Sequence, residues 1–245
     1  MTPIFSIPKC LSISCSGYKK YSLKLEQNNI NNIHNEIFIK SILVLIDASD
    51  TNNLYNSLNF HAESVIPLNI YLQNLHSQNK KMSYNTIIHM IWYLKNQQEF
   101  LEKNNYGFYC LGINDILVIN DNKFICINPC IIKELNLNDE NKKTKTITFY
   151  SPFSRTEFIS PEILEITSIP ATISHKCFIY SLGSLAIYCF SRIDISKTVF
   201  QEIDDTHLVY KDILDILKPI SQTKLYWWFL KSLCIDCDKR SFMFI

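Results

Sequence analysis

Glycine is nearly missing from this chain: four occur in 245 residues, and none precedes Gly17. Backbone that must approach a phosphate closely relies on glycine, so no glycine-rich phosphate loop opens the sequence. A charge bias is missing too. Lysine and arginine number 24 against 23 aspartates and glutamates, a formal net charge of +1, with no basic block and no acidic tail. That balance gives no electrostatic reason to expect nucleic acid or an anionic membrane as a partner. No apolar run reaches spanning length. Residues 177–190 carry no charge, yet as a helix they would cover only about 21 Å, short of a bilayer core of about 30 Å. The start, MTPIFSIPKCLSISCSG, has no basic region ahead of an apolar run, so no signal peptide is expected and a cytoplasmic protein is implied. Cys234 and Cys237 form a CxxC with no second CxxC and no histidine pair at finger spacing, so two loop thiols are expected rather than zinc. The histidines at 34, 61, 76, 89, 175 and 207 lack metal spacing, and no GxSxG elbow occurs.

What is present is apolar and aromatic. With 47% hydrophobic and 13% aromatic residues, the chain can bury one substantial core or two modest ones. Nine cysteines, an odd number at irregular spacings, fit reduced core thiols better than a disulfide framework. The abundance of Asn, Ile and Lys looks like the codon bias of an AT-rich genome. The organising stretch is residues 174–191, SHKCFIYSLGSLAIYCFS, whose apolar residues go all the way round a helix, so it must be buried on every side. Gly183 sits in its middle at a cost of about 1 kcal/mol relative to Ala, which implies an element packed close against the backbone.

In chain order, residues 10–15 and 21–25 alternate about a turn at 16–20, the pattern of a β-hairpin, with Ser22 and Lys24 on the face opposite Leu23 and Leu25. A helix is expected over about 32–43, then short strands and loops over 49–65. The polarity pattern changes near 64–68, where a domain boundary is placed. Residues 83–103 read as an amphipathic helix with Ser83 as N-cap and Ile87, Ile91, Leu94 and Leu101 on its apolar stripe. A second hairpin is expected from 116–119 and 124–127 about an AsnAspAsn turn. Residues 131–150 read as an exposed loop. Two amphipathic helices, about 207–218 and 223–233, come after the central one, and no internal repeat is present.

This order of elements, with the motifs it carries, resembles the protein kinase family. Ser160-Pro161-Glu162 looks like the family's Ala-Pro-Glu. Residues 176–183, KCFIYSLG, look like its Lys-Ser-Asp-Val-Tyr-Ser-Leu-Gly stretch. Residues 234–240, CIDCDKR, resemble Cys-Leu-x-x-Asp-Pro-x-x-Arg with a shorter spacing, which makes Glu162 and Arg240 the expected structural ion pair. The resemblance implies an α+β, protein kinase-like fold: a small strand-rich N-lobe over residues 1–65 and a larger, mainly helical C-lobe over 66–245. The character of the sequence is similar to kinase-like proteins of large DNA viruses or of an AT-rich protist, and a viral origin would place it in host cytoplasm.

Mapped on the family, Lys24 in Tyr-Ser-Leu-Lys-Leu would be the lysine on the ATP phosphates and Glu36 its helix partner. An ordinary exposed lysine on an edge hairpin is the competing reading. The family's His-Arg-Asp falls on Phe108, Tyr109 and Cys110, so the catalytic base is missing. The lysine two residues on is Gly112. The metal-binding Asn is Asp115, and Asp-Phe-Gly falls on Asn128, Pro129 and Cys130. Asp115 and Asn128 look like the family's metal ligands exchanged, compatible with weak Mg²⁺ binding, or else they are turn residues flanking strands. Phe178 stands where the family has the Asp that braces the catalytic loop, so loss of a polar brace is expected. The 131–150 loop, with Lys133, Lys142, Lys143, Lys145, Asp139 and Glu140, takes the place of the activation segment, and its Thr144, Thr146 and Thr148 are candidate phosphorylation sites.

Retained scaffold with lost chemistry implies a pseudokinase that binds a protein partner, with ATP and Mg²⁺ held weakly if at all, and with no nucleic acid or membrane partner. The alternatives are an active divergent serine/threonine kinase using Asp115 as base or metal ligand, and an adaptor without a nucleotide site.

Overall fold

The structure, a computed structural model, describes residues 3–7, 11–15, 19–25, 32–46, 57–137, 145–153, 155–193, 200–204 and 207–243. It is a mixed α+β arrangement of antiparallel sheets and helices. The first sheet takes β1 (Pro3–Ile7), β2 (Leu11–Cys15), β3 (Lys20–Leu25) and β4 (Ser57–His61) in that order. The expected hairpin is β2–β3, in register from Leu11 opposite Leu25 to Cys15 opposite Tyr21. Period-two alternation puts Ile13, Leu23 and Leu25 inside. Lys24 is exposed on the other face, where Ser22 is buried. Helix α1 (Asn32–Leu43) lies between β3 and β4 in the chain and buries Phe38, Ile39 and Ile42.

From His61 the chain crosses to a second sheet, in which β5 (Val65–Pro67) pairs with β7 (Ile116–Ile119) and β7 with β8 (Lys123–Cys126). Between them come α2 (Leu68–Ser77), α3 (Tyr84–Lys103) and β6 (Tyr106–Phe108). The Ser83 hydroxyl caps α3 by accepting from Thr86 N at 3.1 Å, and Ile87, Ile91, Leu94 and Leu101 are all fully buried, the apolar stripe that the 3.6-residue period demands. The β7–β8 turn needs left-handed backbone at Asn120 (φ 52°) and Asp121 (φ 59°), a conformation these two residue types tolerate.

Residues 131–150 are a correction. They are not a loop at their two ends: β9 (Ile132–Leu137) and β10 (Lys145–Phe149) pair antiparallel, and β10 pairs again with β11 (Ala171–Ser174), giving a sheet ordered β11, β10, β9, β6. Ile147 and Phe149 alternate into the core between Thr146 and Thr148, a strand pattern masked by the surrounding charges. On the outer face Asn136, Thr148 and Thr172 bond across the strands, at 3.0 Å from Asn136 Nδ2 to Thr148 Oγ1 and 2.9 Å between the two threonine hydroxyls. Thr144, Lys142, Lys143, Asp139 and Glu140 lie outside the described residues.

The short helix α4 (Pro161–Leu164) leads through β11 to α5 (Cys177–Ser191), buried along nearly its whole length as its uniform apolarity requires. A separate hairpin, β12 (Phe200–Asp204) with β13 (His207–Tyr210), precedes α6 (Lys211–Leu217) and α7 (Lys224–Ser232). The helix expected from about 207 therefore begins only at Lys211. His207-Leu208-Val209-Tyr210 favours a strand through its aromatic and β-branched residues, and Phe200 to Asp204 supply the partner. Leu225, Phe229 and Leu233 are fully buried. Among the described residues, no helix is long and apolar enough to cross a membrane.

Two contacts hold the helical part together. Arg240, fully buried, donates from Nη1 to Glu162 Oε1 at 2.5 Å and from Nη2 to Glu162 Oε2 at 2.9 Å, and its remaining donors reach the carbonyls of Cys234, Ile235 and Lys176. Gly183 touches α7 so closely that a Cβ there would lie 2.9 Å from Ser232 Cβ and closer still to Ser232 Oγ, the close approach its presence in a helix implied. Gly183→Ala is therefore expected to lower stability by about 1–3 kcal/mol in urea unfolding, despite alanine's better helix propensity. Ser232→Gly in the same chain should restore part of the loss, and no recovery would mean that the contact is not the cause.

Candidate functional site

Hairpin β7–β8 brings together the residues on its two flanks. Asp115 ends a helical turn at Ile113–Asp115 just before β7, and Asn128 lies just beyond β8. Ile127 N donates to Asp115 O at 2.8 Å, and the Asn128 amide nitrogen donates to Asp115 Oδ1 at 2.8 Å. Asp115 Oδ2 accepts from Gly112 N at 2.7 Å, while Asn128 Oδ1 accepts from Cys130 N at 3.0 Å. Both side chains thus close their own turns. Mg²⁺ seeks several oxygen ligands in near-octahedral array. Here Asn128 turns nitrogen, not oxygen, toward the carboxylate, and among the described residues no group of three or more His, Cys, Asp or Glu gathers to hold a metal. The pair as arranged does not fit the ion.

The loop from Phe108 to Gly112 is held by neighbours on every side. Phe108 N donates to Gln98 Oε1 at 2.9 Å, Tyr109 N to Ile131 O at 3.1 Å, and Leu111 N to Ser181 Oγ at 2.7 Å, while Leu111 O accepts from the Thr156 hydroxyl at 2.8 Å. Phe178 stacks on Phe108, ring centroids 5.8 Å apart at 30°. The expected loss of a polar brace is half right: an aromatic stack fills the Phe178 position, and Ser181, one turn further along α5, supplies a polar contact instead. Cys110 is fully buried, and burial pushes its thiol up to about 12 despite hydrogen bonding with Thr156 and Tyr109. A thiol so far from ionisation is not a nucleophile at neutral pH. Tyr109 is buried in an aromatic cluster with Phe149 and Phe153, and burial raises its phenol.

Lys24 and Glu36 are not joined in the structure. Glu36 pairs with Lys40 at 2.6 Å along α1, and Lys24 projects from β3 into solvent. Helix α1 reaches the site by other residues. His34 Nε2 lies 3.2 Å from Pro129 O, and buried Gln97 of α3 bonds Ser41 at 3.1 Å while clamping both N–H and C=O of Cys126 at 2.9 Å.

Beside this loop opens a cleft of about 330 Å³ lined by Gly112, Asn114, Asp115, Arg155, Thr156 and Glu157. Gly112 in its wall lies against both carboxylates: a Cβ there would lie 2.8 Å from Asp115 Oδ2 and 3.2 Å from Glu157 Oε2. Two carboxylates therefore crowd the Gly112 α-carbon, and a Cβ there would force them to shift. The cation nearest in sequence is committed elsewhere, because Arg155 Nη2 donates to Ile166 O at 3.2 Å and its guanidinium lies 5.9 Å over the Phe153 ring. Sequence reasoning misses Glu157, Thr156, Ser181 and Gln98. A signal exists for Ser181 alone, since it lies inside the Tyr-Ser-Leu-Gly stretch and helical periodicity sets it one turn beyond Phe178. Glu157 has no motif to announce it.

No protein-family model matches the chain, and no curated protein matches it.

Burial raises the Asp115 carboxyl to about 6, with the Glu157 charge adding to the rise and the bonds from Asn128 and Gly112 opposing it. A carboxyl raised in the folded state binds its proton more tightly there than in the unfolded chain. Its contribution to stability is full below about pH 4 and is lost as pH climbs through about 6, at up to roughly 1.4 kcal/mol per pH unit. Asp115→Asn removes this dependence. The stability of the natural chain minus that of the variant, from denaturant unfolding at pH 4.5 to 7.5, should fall with pH and then level. A difference that is flat or rising contradicts the burial argument.

Proposed function

We propose that the chain is a kinase-like protein that has exchanged phosphoryl transfer for binding, and that its cleft accepts a lysine or arginine side chain presented by a protein partner. The observation that carries this reading is the pair of carboxylates, Asp115 and Glu157, converging on the Gly112 α-carbon in the wall of the cleft. Gly112 stands where the kinase family keeps a lysine, and the cation that lines the cleft, Arg155, is engaged with Ile166 O and the Phe153 ring. A basic side chain from outside completes the charge balance.

The scaffold side of the reading is supported by the buried Glu162–Arg240 pair and by α5, buried and centred on Gly183. The binding side is supported by what surrounds the former chemistry. A buried thiol, Cys110, stands at the base position, and Asp115 and Asn128 are bonded to each other and to their own turns. Lys24 is exposed and Glu36 is engaged with Lys40, so the pair that would anchor ATP is not assembled. Catalysis of phosphoryl transfer is positioning plus electrostatics, and these substitutions remove both.

Gly112 has ordinary extended backbone, φ −115° and ψ 157°, so a side chain there meets no backbone strain, and the crowding of its Cβ against Asp115 Oδ2 at 2.8 Å is a cost that any two Gly112 variants share. Gly112→Lys supplies a cation from within the chain. It should melt higher than Gly112→Ala by about 2–4 °C, for a charge contact of about 1 kcal/mol. The gap should close when Glu157→Gln is added. In the natural chain, Nα-acetyl-lysine amide should bind and compete with added salt, while the norleucine analogue, alike in shape without the charge, should not. Equal melting of the two Gly112 variants, together with equal binding of the two amides, would remove the cation site.

A further inference from the structure

Residues 234–242 wind round the buried Arg240 guanidinium, which takes the carbonyls of Cys234 and Ile235 as well as Glu162. Two residues beyond that anchor, the Phe242 ring closes a slot between α3, α5 and α7. It stacks on Trp228 with centroids 6.5 Å apart at 17°, meets Phe178 at 6.3 Å, and lies 5.8 Å from Lys95 Nζ. Phe178 in turn stacks on Phe108, so a line of rings runs from Phe242 to the loop beneath the cleft. Met243, the next residue, is already 63% exposed.

We infer that residues 234–242 form a strap whose terminal ring, Phe242, holds the Phe108–Gly112 loop in its binding shape and is poised to lift. Opposed forces on Trp228 make it so. The seated ring gains aromatic and cation–π contact, yet Trp228 is fully buried with its indole N–H lacking an acceptor among the described residues. Lifting Phe242 uncovers one face of Trp228, and water that then reached the N–H would supply the missing acceptor, so that the open state recovers part of what it loses. Once Phe242 is out, Phe178 keeps, of its two ring neighbours among the described residues, only Phe108, and the far side of the Phe178 ring that supports Phe108 is left open. The strap would thereby regulate the cleft, and this rests on the reading of the cleft as a binding site.

The test uses no ligand, so its result stands apart from whether the cleft takes a basic side chain. Trp92 and Trp227, each about half exposed, are replaced by Phe so that Trp228 alone fluoresces, and Phe242→Ala is compared with Phe242→Leu and with Met243→Ala. The Ala variant should shift Trp228 emission to the red and speed amide exchange at Phe108 and Leu111 by about tenfold or more, with α2 amides unchanged. Phe242→Leu should show the same changes in smaller degree and decides the matter if the Ala variant does not fold, while Met243→Ala should change nothing. A red shift without faster exchange at Phe108 and Leu111, no red shift at all, or a uniform acceleration that includes α2 would each overturn the strap.

Discussion

The helical part of this protein depends on one buried ion pair. Arg240 has no exposure to solvent, so its charge is tolerable only because Glu162 meets it with both oxygens and three carbonyls take its other donors. Removing one partner would leave an uncompensated buried charge, a loss of about 3–5 kcal/mol. The pair fixes more than itself. It ties α4 to the strap at residues 234–242 and, through the Lys176 carbonyl, to the start of α5. The Arg240 guanidinium also lies 5.0 Å over the Tyr180 ring of that helix. The segments on either side of the cleft, from Arg155 to Glu157 and from Phe108 to Asp115, are thereby held against one frame.

Within that frame the loop beneath the cleft is held chiefly by neutral groups, with the Asp115 carboxyl meeting it at Gly112 N. Its backbone bonds run to Gln98, Ser181 and Thr156, and its packing runs through the Phe108–Phe178 stack. The charge that remains is concentrated on the cleft side, at Asp115 and Glu157. A phosphotransfer site needs a base, metal ligands and a lysine on the phosphates working together. The proposed reading takes Asp115 and Glu157 as acceptors for a partner's basic side chain instead.

Periodic elements were legible in the sequence, and contacts across the chain were not. The helix over 84–103 announced itself through its apolar stripe and Ser83, and α5 through the absence of any polar face. Gly183 implied a close neighbour, which proved to be Ser232. The sheet formed by β9, β10 and β11 was hidden because the pairing of Phe149 with Ala171 spans a stretch with no strand pattern of its own, and the charges around Ile147 looked like a solvated loop. The Asp115–Asn128 contact was half legible, since the hairpin predicted their proximity, while the direction of the amide depends on Cys130 N, which periodicity does not report. Glu157 was invisible for the same reason: its importance lies in facing Gly112, forty-five positions away in the chain. The Lys24–Glu36 pairing came from the family resemblance alone, and α1 offered Glu36 a nearer partner, Lys40, one turn on.

The central proposal is that the chain is a kinase-like protein without phosphoryl transfer. The most direct measurement is incorporation of labelled phosphate from ATP with Mg²⁺, into the chain itself and into a generic protein substrate, by the natural protein and by Asp115→Ala. The account predicts no incorporation above background in either. Incorporation by the natural protein that falls about a hundredfold or more in Asp115→Ala would contradict it and make Asp115 a catalytic group.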